Sequence, residues 1–441
     1  MRLPLVPAGK KKASYEIRGI VDKGYQLEAC GKNVFWENIG DPVQKGMQVP
    51  QWMKEIVAAE ALSDASYGYC ESKGVPKTRE FLAARTNAFG GVRITSDDIT
   101  FFNGLGDAIA RVYGMLSPDA RVLMPSPTYP AHSGAESSRI GRAPLQYTLD
   151  PKRDWLPDPD EVRQLVTDNP DVCAILLINP DNPTGKVFPY STLAALVQIA
   201  REFDLFIICD EIYENLVYEG EMVRLCEVIG DVPAIAMKGI SKEFPWPGSR
   251  CGWLEYYNRD KDPVFADFCG RIDHGKMTEV CSTTLPQRVI PAIMSHPMYK
   301  TWQDDIKAEL SRKMSKVRAA FHEIEGFHVS GGGGAFYATV HIDCEFAGSC
   351  VPYTALTDGQ LNLIRKWLQP GSAQDYKIVY FLLAVHGICV VPLSGFSTPH
   401  CGFRFTLLEQ DEARFDELLR EMKEGLGLWS KHRKLEESVV A

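Results

Sequence analysis

Short apolar runs punctuate the middle of this chain, and they constrain its fold more than any other feature. ITFF (99–102), RVLM (121–124), AILLI (174–178), LFIIC (205–209), AIAM (234–237) and CGWL (251–254) are each shorter than a typical helix. Several are near-continuously apolar, the pattern of strands buried on both faces. Helical patterns separate them: one starts at Asp107, and another runs from Leu193 to Phe203 between AILLI and LFIIC. This alternation is the rhythm of βαβ units. It predicts an α/β fold with a mostly parallel sheet covered by helices.

The ends read differently. The first 50 residues show little periodicity, Trp302 to Ile324 forms a long amphipathic pattern, and Asp411 to Gly427 reads as a helix opening on acids and stopping at glycine. Between them lie GGGG (331–334), expected to be a turn, and the strand-like AFYATVHI. The expected division is a large domain over 51–300 and a smaller α+β domain built from both ends, 1–50 and 301–441. For 441 residues, two or three domains is the size-based expectation.

Composition serves mainly to exclude. A net charge of −9 disfavours nucleic acid or an anionic membrane as partner. No run approaches the roughly 20 apolar residues of a membrane helix. The longest, Val379 to Val391, contains His386 and reads as a buried helix leading into a strand. MRLPLVPAG precedes KKK, the reverse of a secretory signal, so a cytoplasmic protein is expected. The 12 cysteines are scattered without a CxxC pair, which predicts buried free thiols and no metal site.

The chemistry gathers after the apolar runs. NPDNPTG (179–185) follows AILLI, and alone it is only a turn. Asp210 ends the LFIIC run, where open α/β sheets bind ligands, and a carboxylate there needs a partner. Tyr213 follows three residues later. GISKEFPWPGSR (239–250) then sets Lys242 and Arg250 in a stretch stiffened by two prolines.

Each of these is weak alone, but the ordered set resembles the fold-type-I, class I/II aminotransferases. These enzymes use pyridoxal 5′-phosphate. The likeness runs from ENIGDP (37–42) to GFRFTLL (402–408), and the fold it implies has a seven-stranded, mostly parallel sheet. The resemblance implies a role for each matching residue. Lys242 binds the cofactor aldehyde and, once freed, shuttles a proton at the substrate α-carbon. Asp210 keeps the pyridine nitrogen protonated, Asn182 and Tyr213 donate to the phenolic oxygen, and Tyr129, from PSPTYP, stacks on the ring. Backbone N–H groups of Leu105 and Gly106, at the start of a helix after FFNG, hold the phosphate with Arg250. Tyr69, in SYGYCESKG, reaches the phosphate of the other subunit, implying a homodimer. Arg404 clamps the α-carboxylate, and the Gly40 backbone approaches the substrate.

One position departs from the family pattern. The residue three before the lysine, commonly serine or threonine, is Gly239, which leaves Ser241 as a substitute donor. Within the family, YEIRG (15–19), ENIGDP and GYCESKG look most like the alanine aminotransferases, which exchange an amino group between alanine and 2-oxoglutarate. Arg18 then either meets the distal carboxylate of glutamate or is a solvated arginine. The stretch from Cys344 to Tyr376 has no match to those enzymes. An aspartate or aromatic aminotransferase and a carbon–sulfur lyase on the same scaffold remain alternatives. An NAD-dependent dehydrogenase fits poorly: Gly104 and Gly106 give half of GxGxxG, but Ile109 breaks it. A non-catalytic regulator with the same cofactor usually carries a DNA-binding module, and no basic appendage is visible.

Overall fold

The computed structural model describes residues 16–347, 352 and 356–440, without the side chains of 16–18 and 433–440. In chain order the strands begin with β1 (Phe35–Trp36), β2 (Ile99–Phe102), β3 (Arg121–Ser126), β4 (Leu145–Asp150), β5 (Leu156–Pro157), β6 (Val172–Ile178) and β7 (Phe206–Asp210). They continue with β8 (Ala234–Gly239), β9 (Gly252–Tyr257), β10 (Phe327–Ser330), β11 (Tyr337–Ile342), β12 (Ile388–Cys389), β13 (Val391–Pro392) and β14 (Gly402–Thr406).

The central sheet has the order β2-β9-β8-β7-β6-β3-β4-β5. Strands β8, β7, β6, β3 and β4 pair in parallel, and β9 runs against both of its neighbours. The sheet is thus mostly parallel with helices around it, as expected. It has eight strands rather than seven. The extra one, β5, turns back on β4 through Asp150–Arg153 and pairs antiparallel over two residues, too few to register as an apolar run.

Burial explains why the runs lack alternation. In β6, Ile175 and Leu177 enter one core while Ala174, Leu176 and Ile178 enter the core on the other face. Strands β7 and β8 divide in the same way, with Ile207 and Ala236 on one side and Ile208 and Met237 on the other. A strand covered on both faces has no wet side to mark with polar residues.

The second sheet, β10-β11-β14-β13, is antiparallel, and a two-residue parallel ladder joins β1 to β12. A third core sits here, built from Ile20, Phe35, Met314, Phe336, Phe381, Phe403 and Phe415 among others. The amphipathic pattern 302–324 forms the helix Tyr299–Phe321, and the apolar run at 379–391 is a helix end leading into β12 and β13, as read.

Two expectations about the ends need correction. A helix, Glu16–Ala29, occupies the segment read as aperiodic. Glycines 19 and 24 interrupt its pattern, and the missing Cβ of Gly24 gives the Trp36 ring its space, 2.5 Å from where that atom would lie. The last helix does not stop at Gly427 but runs Glu412–Val440. Gly427 is simply a helical glycine in open space, while the nearby Gly425 answers a close approach between helices, since a Cβ there would lie 2.9 Å from Leu382 Cδ2. KKK and Tyr15 of YEIRG lie outside the described residues.

Among the described residues no helix is long and apolar enough to cross a membrane. The described cysteines are all unpaired. Cys209, Cys226, Cys251, Cys269 and Cys389 are buried as expected, but Cys30 and Cys344 are exposed. Cys350 lies outside the described residues.

Candidate active site

The parallel strands and the reversed β9 bring one set of loops to a single edge. The carboxyl ends of β2, β3, β6, β7 and β8 meet there, together with the amino end of β9. A cavity of about 310 Å³ opens at that edge. Gly40, Leu105, Gly106, Tyr129, Asn182, Asp210, Tyr213, Ser241, Lys242, Arg250 and Arg404 all line it. Two residues assigned from the sequence do not. Tyr69 lies on a loop and is 84% exposed. Arg18 belongs to the first helix, and its side chain lies outside the described residues.

Lys242 sits on a single helical turn, Ile240–Glu243, directly after β8. Its Nζ donates to the Gly40 carbonyl at 2.6 Å. Asp210 ends β7 and is buried. One carboxylate oxygen accepts from the Ile212 N–H at 3.1 Å, and the other lies 3.2 Å from His132 Nε2. The Tyr113 hydroxyl is 3.4 Å from His132 Nδ1. A hydroxyl donating to Nδ1 leaves the Nε2–H for the carboxylate, so a buried charge has its partner. Sequence reading missed His132; its only signal was its place three residues after Tyr129.

Asn182 is fixed by the loop that carries it. Asp181 N–H donates to Lys186 O, the Thr184 hydroxyl donates to Asp181 at 2.6 Å, and Asn179 accepts from Phe188 N–H. Burial pushes the Asp181 carboxyl up to about 7 against these bonds. GGGG, expected to be a turn, is instead an irregular stretch whose Gly333 and Gly334 bridge to Lys186 and Val217, with the turn following at Ala335–Phe336, and it docks here. Gly332 and Gly334 N–H donate to Thr184 O and Gly185 O, and Gly331, Gly332 and Gly333 have φ of 76°, 79° and 95°. Those angles are open to glycine and strained for other residues.

Arg404 lies on β14, buried among groups that aim it. Its Nη1 donates to Asn182 Oδ1 and its Nη2 to the Asn38 carbonyl, both at 3.1 Å. Its Cζ lies 4.2 Å from the centre of the Tyr337 ring and 5.1 Å from that of Phe396. Its Nε is buried without a hydrogen-bond partner. Tyr337 and Asn38 line the cavity and were not found from the sequence.

The anion end of the cavity is the start of the helix Leu105–Met115, which no side chain caps. Its first N–H groups therefore face the cavity with the positive end of the helix dipole. Arg250, in left-handed backbone (φ 49°) after the turn Pro247–Ser249, lays its guanidinium over this point. Its Nη2 contacts the Asn103 carbonyl at 3.4 Å. A Cβ on Gly104 would lie 2.6 Å from Nη2, so glycine at φ 85° makes the cradle. Gly104→Ala is expected to weaken binding of inorganic phosphate, and of the phosphorylated cofactor, by roughly 10-fold through strain and displacement of Arg250. Titration of the purified protein checks this; unchanged affinity refutes the cradle.

Gly239 has a physical reason. It faces Gly252 across the β8–β9 pair. A Cβ there would lie 3.0 Å from Cys251 O, 3.1 Å from Ile212 Cδ1 and 3.2 Å from Gly252 Cα. A hydroxyl-bearing side chain there would crowd these neighbours, which would have to give by a few tenths of an ångström.

The cavity fits pyridoxal phosphate on its own chemistry. An uncapped helix start and an arginine suit the phosphate, a buried carboxylate suits the ring nitrogen, and an amine stands between them. The orphaned Arg404 Nε leaves a donor for a carboxylate.

Comparisons agree with the geometry. The family described as "Aminotransferase class I and II" matches residues 36–421. An uncharacterized aminotransferase of Methanocaldococcus jannaschii is 48% identical over 417 residues, covering 94% of this chain and 96% of that protein. The glutamate-pyruvate aminotransferase AlaA of Escherichia coli is 33% identical over 243 residues, 54% of this chain and 59% of that enzyme. Among solved structures, the alanine aminotransferase from Pyrococcus furiosus superposes with a TM-score of 0.82 at 27% identity, covering 96% of this chain and 99% of that one. With a family match across most of its length and the residues of its cavity in keeping, this chain belongs to the class I and II aminotransferases, which act with pyridoxal 5′-phosphate.

Proposed function

We propose that this aminotransferase exchanges the amino group between L-alanine and 2-oxoglutarate, yielding pyruvate and glutamate in two half-reactions. The observation that carries the transamination chemistry is the meeting of Lys242, Asp210 and Arg404 around one small cavity. The alanine assignment is supported by the names of the Escherichia coli and Pyrococcus furiosus relatives.

In this reading Lys242 Nζ is the base that takes the proton from the substrate α-carbon and later returns one. Pyridoxal phosphate, when bound, supplies the electron sink that makes this proton acidic. Asp210 holds a positive charge at the pyridine nitrogen, with His132 fixing the carboxylate. Asn182 and Tyr213 donate toward the phenolic oxygen, Tyr129 covers one ring face, and Leu105 N–H, Gly106 N–H, Ser241 and Arg250 hold the phosphate. Arg404 takes the α-carboxylate, held for it by Asn182 and the Asn38 carbonyl. Gly40 offers the substrate a backbone without a side chain. Arg18 is assigned to the distal carboxylate of glutamate.

The same reading makes the protein a homodimer in which Tyr69 of each subunit reaches the other's phosphate. The exposure of Leu62 (87%) and Tyr67 (79%), close in sequence to Tyr69, supports it, since large apolar side chains left in solvent suit a partner surface. It also keeps the large domain at 51–300 and the small domain at 1–50 and 301–441.

Loaded protein is expected to absorb visible light and to bleach with L-alanine, and 2-oxoglutarate should then restore the colour. A steady-state screen of donors settles the substrate: aspartate or tyrosine turning over far faster than alanine overturns the alanine assignment. Release of ammonia and a thiol from a cysteine conjugate without an oxo acid would instead identify a carbon–sulfur lyase.

A further inference from the structure

Tyr337 opens β11 and is buried. It stands diagonal to Arg404 across the β11–β14 pair, in which Tyr337 faces Thr406 and Thr339 faces Arg404. Its ring lies under the guanidinium at 4.2 Å, and its hydroxyl lies 2.9 Å from that of Tyr213. A Cβ on Gly40 would lie 2.6 Å from the same hydroxyl, so Tyr337 fills the space that a side chain at position 40 would need. One phenol thus touches the surroundings of the carboxylate arginine, the cofactor-facing tyrosine and the glycine that accepts from Lys242.

Either phenol can donate in the Tyr213–Tyr337 bond, and the proposed donation from Tyr213 to the cofactor requires Tyr337 to be the donor. Burial, and next the neighbouring Tyr337, push the Tyr213 phenol well above its usual range, so Tyr213 keeps its single proton at neutral pH. If Tyr213 gave that proton to Tyr337, it would have none left to donate into the cavity. Phe336 and Tyr337 pack edge-on against the Tyr213 ring, at 5.4 Å and 5.8 Å, and fix its position.

We propose that Tyr337 is a positioning residue with two separable parts. Its hydroxyl donates to Tyr213 and so turns the Tyr213 proton toward the cofactor's phenolic oxygen, while its ring supports Arg404 for the substrate carboxylate. This rests on the reading that Tyr213 faces that oxygen, and it is independent of which amino acid is the donor.

Two variants separate the parts. Tyr337→Phe removes the hydroxyl and keeps the ring. Titration of cofactor-free full-length protein with pyridoxal phosphate should give an affinity about 10-fold weaker, while KM for the amino and oxo acids stays within about 2-fold. Tyr337→Leu removes the ring as well and should raise both KM values about 10-fold. Unchanged cofactor affinity in Tyr337→Phe overturns the hydroxyl's role, and unchanged KM in Tyr337→Leu overturns the ring's. Tyr213→Phe is measured alongside. If it too leaves cofactor affinity unchanged, the assignment of Tyr213 fails rather than that of Tyr337 alone.

A folding readout tests the geometry without cofactor. Gly40→Ala should lower the melting temperature of the cofactor-free protein, and adding Tyr337→Phe should restore most of that loss. With the hydroxyl gone, the nearest contacts become the ring carbon at 3.5 Å and Phe336 at 3.6 Å, both ordinary. Losses that simply add in the double variant overturn the contact.

Discussion

Lys242→Ala is expected to lower transamination by at least about 10⁴-fold, because in the proposed mechanism one residue supplies both the amine that holds the cofactor and the base that moves the α-proton. The fold should survive. The lysine stands on a single turn, is only partly buried, and makes one hydrogen bond, to the Gly40 carbonyl. Its loss should change stability by no more than about 1 kcal/mol. The measurement is a coupled assay beside a thermal melt. Activity within 100-fold of the parent protein, with an unchanged melt, means that another lysine does the chemistry. Lys238, four residues earlier, is the obvious rival, and its position argues against it. It is buried among Glu211, Glu214 and Glu255 at 3.3–3.6 Å, and these carboxylates hold its ammonium well above the usual lysine range despite burial.

Asp210→Asn should lower kcat by about 10²–10³-fold, the effect of removing one buried charge from the place proposed for the ring nitrogen. The amide keeps the shape of the carboxylate and can still accept from Ile212 N–H, so the melt should stay within a few degrees of the parent. A loss of activity with an unchanged melt isolates the charge. A kcat within 5-fold of the parent would remove Asp210 from the ring nitrogen.

Much of this was legible in the chain because burial writes itself into sequence. Runs such as AILLI are apolar throughout because β6 has a core on each face, and the loop that follows such a strand lies at the ligand-binding edge. Asn182 and Lys242 follow buried strands within a few residues and Asp210 ends one, so order along the chain translated into convergence in space. Tyr337 and His132 had no such signal. Tyr337 meets Tyr213 across 124 residues of separation, and nothing in AFYATVHI distinguishes a tyrosine that faces a cavity from one that packs in a sheet. The helix Glu16–Ala29 escaped because its buried contacts, Ile20 and Leu27, are spaced too widely to mark a stripe. The two-residue β5 carries no periodicity at all.

Gly239 and Gly252 face each other but keep different neighbours close. A Cβ on Gly239 would press on Cys251 O, Ile212 and Gly252, whereas one on Gly252 would press on Leu105 and Lys238 O, with Leu105 N at 3.2 Å. A library randomised at 239 alone should favour glycine, and pairing it with a smaller residue at 212 should widen what is accepted, because Ile212 is the one neighbour that a side-chain change can move back. The missing hydroxyl is therefore reached more easily by two coordinated changes than by one.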